Sequence, residues 1–546
     1  MGAVIEAFTA ADVRAAEEPV LAAESGFAGG LMHRAATALA LAVRRELRAT
    51  PRPRRRAPAI VVGLVGPGNN GGDALHALAQ LSGRGLRVIA VLTSAAVHEG
   101  GAAALRRSRG ELVAVVDGAP GRRIDLAEAV RICSSADVLL DGLLGIGGRG
   151  SLRGAAREII ESLPAQPHVI AVDVPSGIGV DDGALLGPVL RAQRTVTFGT
   201  AKPGLLLPPA CALAGTVEVV DLGLMPVLAG QGRRPAVRRL GTSEAAALLP
   251  TPRSSDHKYS RGVLGVVAGS PAFPGAAVLT VAGALGAGCG MVRHVAAPSV
   301  CTAVLAAHPE VVAAPSVDVH VQCWVVGPGV TDDDEQEGRS QAALDHALAR
   351  HMPVVVDAGG LHRLPERLSP SVVLTPHAGE LAHLLARYDV AADRGEVEAE
   401  PLRWAREAAV RTGATVLLKG STTVVVGHDD SGHGNAGVVL AQQDAPAWLA
   451  TAGAGDVLAG VLGAMLAARA DELLSQPALV AELAATAAHV HGAAATRANP
   501  GGPITASAVA AAVPAVIAEM LTPRPALRRT GRRIRMHHAP LRRVVR

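Results

Sequence analysis

Two sets of glycine-flanked polar residues in this sequence could do chemistry. The first comprises Gly66-Pro-Gly-Asn-Asn-Gly-Gly-Asp73, Asp141-Gly-Leu-Leu-Gly-Ile-Gly-Gly-Arg149 and Asp173-Val-Pro-Ser-Gly177. Gly66, Gly68 and Gly71 have the GxGxxG spacing of a nucleotide-binding strand-to-helix turn. The next apolar run, Arg87–Thr93, ends without the acid that would hold a ribose 2′-hydroxyl, which argues against an ordinary hydride-transfer site. The oxygens of Asn70, Asp141 and Ser176 are instead hard donors suited to a monovalent or divalent cation, and a buried Asp173 is suited to act as a general base.

The second set centres on Thr451-Ala-Gly-Ala-Gly-Asp-Val-Leu-Ala-Gly460. A Gly453-Ala-Gly455 turn opens a helix whose inner face reads Val457, Leu458, Val461, Leu462 and Met465. Free backbone N–H groups at such a start hold a phosphate, and Asp456 in the first turn can take the proton of an attacking hydroxyl. Lys419-Gly-Ser-Thr-Thr423 follows a nearby apolar run. Only three lysines, Lys202, Lys258 and Lys419, occur among 52 basic residues, and all three lie in or beside glycine-rich motifs. A lysine retained amid so many arginines marks a place where a compact ammonium is needed. None follows a glycine, so the chain has no Walker-type phosphate loop.

Elements must carry these loops to common edges. Ala59–Val65 reads as a buried parallel strand, as does Val263–Ala268. In the second half Cys323–Val326, Val354–Val356, Val372–Leu374 and Thr415–Leu418 each run into a polar or glycine-rich turn, which predicts a second parallel sheet. The strand C-termini of a parallel sheet share one edge, so the three loops of the first set should meet in one crevice. A length of 546 residues fits two domains, read here as 1–228 and 241–522, with a linker at 229–240 and an arginine-rich tail at 523–546.

Composition excludes several classes. Aromatic residues make up 2% of the chain, too few for a nucleic-acid stacking platform. The net charge of +4 hides nine arginines and no acid from Arg524 onward, which leaves the body at −5. That tail reads as a solvated end rather than a nucleic-acid dock. Five scattered cysteines without CxxC spacing argue against a zinc site or a disulfide framework, and for a reducing compartment. Acids appear too early at the N-terminus for a signal peptide, and the charge-free stretch between Arg261 and Arg293 is too rich in glycine to span a membrane. A cytoplasmic homo-oligomer without nucleic-acid or membrane partners is the expectation.

GPGNNGGD, VLLDGLLGIGGRG, AVDVPSG and TVTFGTAKPG together resemble the YjeF-type NAD(P)HX epimerase family over roughly 1–228. The resemblance implies a Rossmann-like three-layer α/β sandwich, with K⁺ held by Asn70, Asp141 and Ser176. It implies a substrate site lined by Asn69, Asn70, Gly71, Gly72, Asp73, Gly145, Ile146, Gly147, Gly148, Arg149, Gly150, Ser151 and Asp173, the last as base. Ala74 departs from the glycine usual there. HKYSRGVLGVVAGS, GPGV, TPHAGE, LLKGSTTVV, LATAGAGDVLAG and HVHGAAA resemble the ADP-dependent NAD(P)HX dehydratases of the ribokinase-like superfamily over roughly 240–520. By that resemblance Ala276, Gly329, His377 and Asp456 contact substrate. Lys419, Gly420, Ser421, Thr422, Thr423 and Gly455 hold ADP, with Mg²⁺ as cofactor. TPHAGE replaces the usual TPHPGE, Ala452 stands where glycine is common, and Asp357-Ala-Gly-Gly360 replaces a DAD-type run. The pair implies repair of NADHX and NADPHX: epimerisation of the R and S hydrates, then ADP-driven dehydration of the S form to NAD(P)H, AMP and phosphate. The alternative is a ribokinase-class vitamin-precursor kinase with an accessory N-terminal domain.

Overall fold

The computed structural model describes residues 4–24, 26–49, 58–148, 150–164, 167–331, 335–427 and 437–522. The arginine-rich tail and Arg149 therefore lie outside the described residues.

The first sheet has eight strands, and every neighbouring pair is parallel. Runs such as Ile60–Val65 and Val169–Val172 are apolar on both sides because helices cover both faces of the sheet. From Ile60–Val65 the chain first winds outward through Arg87–Leu92 and Glu111–Ala114. It then returns to place Val138–Gly142 on the other flank of Ile60–Val65. The winding direction reverses there, and the loops after Val65 and Gly142 open a crevice between them.

The second sheet repeats the device. Val263–Val267 leads outward to Met291–His294 and Val312–Ala313, and Cys323–Val326 then returns on its other side. Cys323–Val326, Val354–Val356, Val372–Leu374 and Thr415–Leu418 continue in parallel register. The strands expected to form a parallel sheet do so, and beyond them the sheet turns antiparallel. Thr415–Leu418, Thr423–Val426 and Val439–Gln442 pair antiparallel. The four residues between Leu418 and Thr423 are too few for a crossover, so only a hairpin can form.

The edge of this sheet comes from elsewhere in the chain. Val237–Arg239, inside the segment read as a linker, lies parallel to Val439–Gln442, and Ile5–Ala7 pairs antiparallel with it. Ala7 also bridges to Ala201, and Phe8 donates its N–H to the Ala201 carbonyl at 3.0 Å. Ala7, Ala201, Leu206 and Leu207 are buried in the same apolar cluster as Leu418, Val424 and Val426. The two sheets thus share part of one core.

The stretch between Arg261 and Arg293 forms the strand Val263–Val267 and the helix Pro274–Gly286. No described helix is long and apolar enough to cross a membrane. The helix Pro274–Gly286 lies against Ala454–Ala468 with backbones almost touching. A Cβ at Gly460 would fall 1.9 Å from the Thr280 carbonyl oxygen, and one at Gly283 would fall 2.3 Å from that of Val457. Val457, Val461, Leu462 and Met465 are fully buried, as the helical spacing predicts.

Candidate active sites

In the first crevice the helix Asn69–Ser82 starts at Gly68, whose φ of +86° only glycine adopts freely, and no side chain caps it. Its first N–H groups are unpaired within the helix. The neighbouring loops meet with no room for side chains. A Cβ at Gly66 would sit 2.0 Å from the Leu143 carbonyl oxygen, and one at Gly145 would sit 3.1 Å from Asn70 side-chain carbon. The methyl of Ala74 is buried 2.7 Å from where a Gly142 Cβ would be, so the departure at Ala74 fills space behind the loop.

Asn70, Asp141 and Ser176 are all buried. Asp141 accepts from the Ser176 N–H at 2.8 Å and the Ser176 hydroxyl at 2.6 Å, and Leu144 donates its N–H to Ser176 Oγ at 2.9 Å. Both polar atoms of the Asn70 amide are buried with no protein partner, which is the mark of a ligand contact. Of the other expected residues, Gly71, Gly72 and Asp73 are buried and Asn69 is exposed. Gly145, Ile146, Gly148 and Ser151 are half-buried, whereas Gly147 and Gly150 are exposed at the rim. Arg14 donates to the Ile146 carbonyl at 2.6 Å and ties that rim to the first helix.

Asp173 ends the strand Val169–Val172 in a left-handed conformation, φ +66°, costly for a residue with a side chain. Its carboxylate accepts from the buried Lys202 ammonium, from Thr197 Oγ1 at 3.1 Å and from the Phe198 N–H at 3.3 Å. Lys202 also donates to Thr197 Oγ1 and to the Phe198 carbonyl, each at 3.0 Å. Asp73 is a second buried carboxyl of this crevice. Burial first, then the charges of Asp173 and Glu17, hold its pKa well above the ordinary carboxylate value, with Lys202 opposing. Glu17 is likewise raised by burial. The crevice therefore holds a carboxylate paired with an ammonium and a second buried carboxyl whose protonated form is favoured, an arrangement suited to paired base and acid. Sequence reasoning assigned Lys202 no role at this site, although its rarity was a signal; nothing in the sequence singles out Glu17.

In the second crevice the helix Ala454–Ala468 begins after Gly453, at φ +84°, without a side-chain cap. The Ala454 N–H is bonded to the Thr451 carbonyl at 3.4 Å, and the next N–H groups, at Gly455 and Asp456, are the ones left for a phosphate. Asp456 sits half-buried in that first turn, and its pKa is pushed up to about 7 by burial and then by Asp357, with Lys419 opposing. Ala276 and Gly329 are in contact across the switch point; a Cβ at Gly329 would be 2.5 Å from that of Ala276. His377 lies beside Lys419 in an isolated parallel bridge, and Lys419 donates its N–H to the Pro376 carbonyl at 2.8 Å. The His377 ring caps the helix Ala378–Ala386: its Nδ1 accepts from Gly379 and Glu380, and its exposed Nε2 is 3.4 Å from Glu380 Oε1.

Lys419 Nζ donates to Asp357 Oδ1 at 2.7 Å and lies 3.5 Å from Glu380 Oε2. Burial opposes the ammonium, but Asp357 and Glu380 more than offset it and leave its pKa raised. A Cβ on Gly455 would be 3.5 Å from Lys419 Nζ and 3.8 Å from Asp357 Oδ2, so this pair lies against the phosphate turn. Gly420 and Ser421 are exposed at the hairpin tip and Thr423 is half-buried, but Thr422 is buried with its hydroxyl 3.2 Å from Cys211 Sγ. Asp357 and Glu380 were visible in their motifs without an assigned role. Buried His491, of the HVHG run, hydrogen-bonds to the backbone at Ala454 and braces the turn from behind. Lys258 lies over the Tyr259 ring at 5.1 Å. All five cysteines are free.

Comparison with known proteins gives two family matches. Residues 28–204 match the family described as YjeF-related protein N-terminus, and residues 264–512 match NAD(P)H-hydrate dehydratase. A bifunctional NAD(P)H-hydrate repair enzyme of Mycobacterium tuberculosis is 41% identical over 466 residues, covering 83% of this chain and 88% of its own. Its counterpart from Mycobacterium leprae is 39% identical over 508 residues, with 90% and 94% covered. Among solved structures, an ADP/ATP-dependent NAD(P)H-hydrate dehydratase from Bacillus subtilis, co-crystallised with ATP and Mg²⁺, is 26% identical. It covers 51% of this chain and 97% of its own, with a TM-score of 0.43.

Proposed function

The chain belongs to the family of bifunctional NAD(P)H-hydrate repair enzymes, and from that premise we propose how its two crevices divide the work. The first interconverts the R and S hydrates of NADH and NADPH. The second removes water from the S hydrate at the expense of ADP. The observation that carries the reading is the Asp357–Lys419 pair set against the uncapped helix start at Gly455 and Asp456.

In the epimerase crevice, Asp173 is the base, held charged and oriented by Lys202, and Asp73 is the neutral partner that donates or receives the other proton. The donor set Asn70, Asp141 and Ser176 fits K⁺. It offers hard oxygens with a single carboxylate, and its buried amide lacks a protein partner. A bound K⁺ would supply positive charge beside the substrate phosphates, while Ser176 keeps the Asp141 carboxylate aimed at it.

In the dehydratase crevice, Asp456 takes the proton of the ring hydroxyl as its oxygen attacks the terminal phosphorus of ADP, and the phosphoryl–AMP bond breaks. The N–H groups at Gly455 and Asp456, together with Lys419, stabilise the charge spread over the phosphoryl oxygens. Loss of phosphate from the ring carbon and of a proton from its neighbour then restores NAD(P)H. Mg²⁺ would enter on the nucleotide phosphates, and Asp357, whose Oδ2 faces the turn, is the carboxylate placed to receive it. Assembly as a cytoplasmic homo-oligomer is part of the same proposal.

Incubation with mixed hydrates plus ADP or ATP, following absorbance of the dihydronicotinamide, tests both halves together. Recovery of the whole R/S mixture with one phosphate released per NADH supports the reading. A stable phosphorylated product would instead establish a small-molecule kinase.

A further inference from the structure

Thr422 lies in the hairpin expected to hold the nucleotide, yet it is 2% exposed, and its hydroxyl meets a residue of the other half. Cys211 belongs to the short helical turn Ala210–Leu213, which follows the epimerase lysine Lys202 by way of Pro203–Leu205. The contact is anchored on both sides. Leu206 and Leu207 are buried in the same apolar cluster as Leu418, Val424 and Val426, which flank the hairpin loop. Arg239 donates to the Leu206 carbonyl and to the Ala441 carbonyl, each at 3.0 Å, and so clamps the epimerase segment to the strand beside the hairpin. Burial pushes the Cys211 thiol up, and between thiol and hydroxyl either group can donate.

A four-residue loop whose tip, Gly420 and Ser421, is exposed has little of its own to fix its shape. We propose that Cys211 is a positioning residue for the dehydratase: through Thr422, the epimerase half holds Lys419–Ser421 in the conformation that receives ADP. The inference rests on the reading of this hairpin as the nucleotide site. It makes nucleotide affinity in the second half depend on a side chain of the first.

The test uses the full chain and measures two rates: nucleotide-dependent recovery of NADH from the S hydrate, and R-to-S epimerisation. Cys211→Val keeps the bulk and removes the polar contact; Cys211→Ser keeps a hydrogen-bonding group. Losing one buried hydrogen bond predicts that Cys211→Val raises KM for ADP about three- to tenfold. Its kcat and its epimerisation rate should stay within about twofold, and Cys211→Ser should remain near the parent. Thr422→Val should raise KM similarly, and the double variant should be no worse than either single one. An unchanged KM in Cys211→Val, an equal rise in Cys211→Ser, or additive effects in the double variant would each overturn the proposal. Lys419→Ala separates the premise from the inference. If it leaves KM for ADP unchanged, the hairpin is not the nucleotide site; if it raises KM and Cys211→Val does not, only the role of Cys211 falls.

Discussion

Replacing Asp456 with asparagine should make the protein more stable in mild alkali while abolishing dehydration. The Asp456 carboxyl is pushed from 3.8 to about 7 by burial and by Asp357, so the fold favours its neutral form. The sign follows from proton counting. Below pH 4 both folded and unfolded chains keep this proton, and the group costs nothing. Between pH 4 and 7 the unfolded chain releases it while the folded chain retains it, so stability falls; above pH 7 the loss is complete. Three units correspond to about 4 kcal/mol at most, and partial exposure of the side chain reduces that to roughly 2 kcal/mol. Asparagine has the same shape and no charge to desolvate. Thermal unfolding should place Asp456→Asn above the parent by roughly 2–4 °C at pH 8 and level with it at pH 4. Loss of the base should lower kcat about 10²–10⁴-fold. In the parent, kcat/KM should climb with pH through about 7 as the base is freed. A melting difference independent of pH, or turnover within about tenfold of the parent, would refute both the burial argument and the assigned role.

Lys202→Met removes the only side-chain cation bonded to buried Asp173 among the described residues; R-to-S conversion should collapse while the S hydrate is still consumed, as a single-epimer assay would show. The same variant should lose about 3–5 kcal/mol, because a buried charge is left unpaired, and urea unfolding checks this. Exchanging K⁺ for a bulky organic cation should slow epimerisation and leave dehydration of the S hydrate unchanged; Asn70→Ala should weaken the apparent K⁺ affinity measured by titration. Gly460→Ala should force apart the helices that carry Ala276 and Asp456, costing about 1–3 kcal/mol together with dehydratase activity, whereas Ala464→Gly on the same helix should leave the spacing intact.

Much of the scaffold could be read from the chain because central parallel strands announce themselves as short apolar runs. Cys323–Val326, Val354–Val356 and Thr415–Leu418 stand where their Val and Leu content placed them. Edge strands do not announce themselves. Ile5–Ala7 and Val237–Arg239 are three residues each, with a single buried residue and charged neighbours, and only their partners make them strands. The glycine-rich loops and Asp456 were legible because phosphate chemistry demands unusual backbone. The charge pattern was not: the Asp73 carboxyl is raised by burial first, then by Asp173 and by Glu17, from a helix more than fifty residues earlier. Likewise, Cys211 shows no motif at all.

The short strand that closes the larger sheet is made first and needed last. As the chain leaves the ribosome, Ile5–Ala7 emerges long before Val237–Arg239, and that strand must itself wait for Val439–Gln442. The nascent epimerase half can mature early and engage Ala7 and Phe8 at Ala201, but the strand Ile5–Ala7 joins the larger sheet only after more than four hundred other residues have followed. Severing the chain near residue 240 would therefore not yield two clean enzymes; the downstream piece would be left with an open, adhesive β edge.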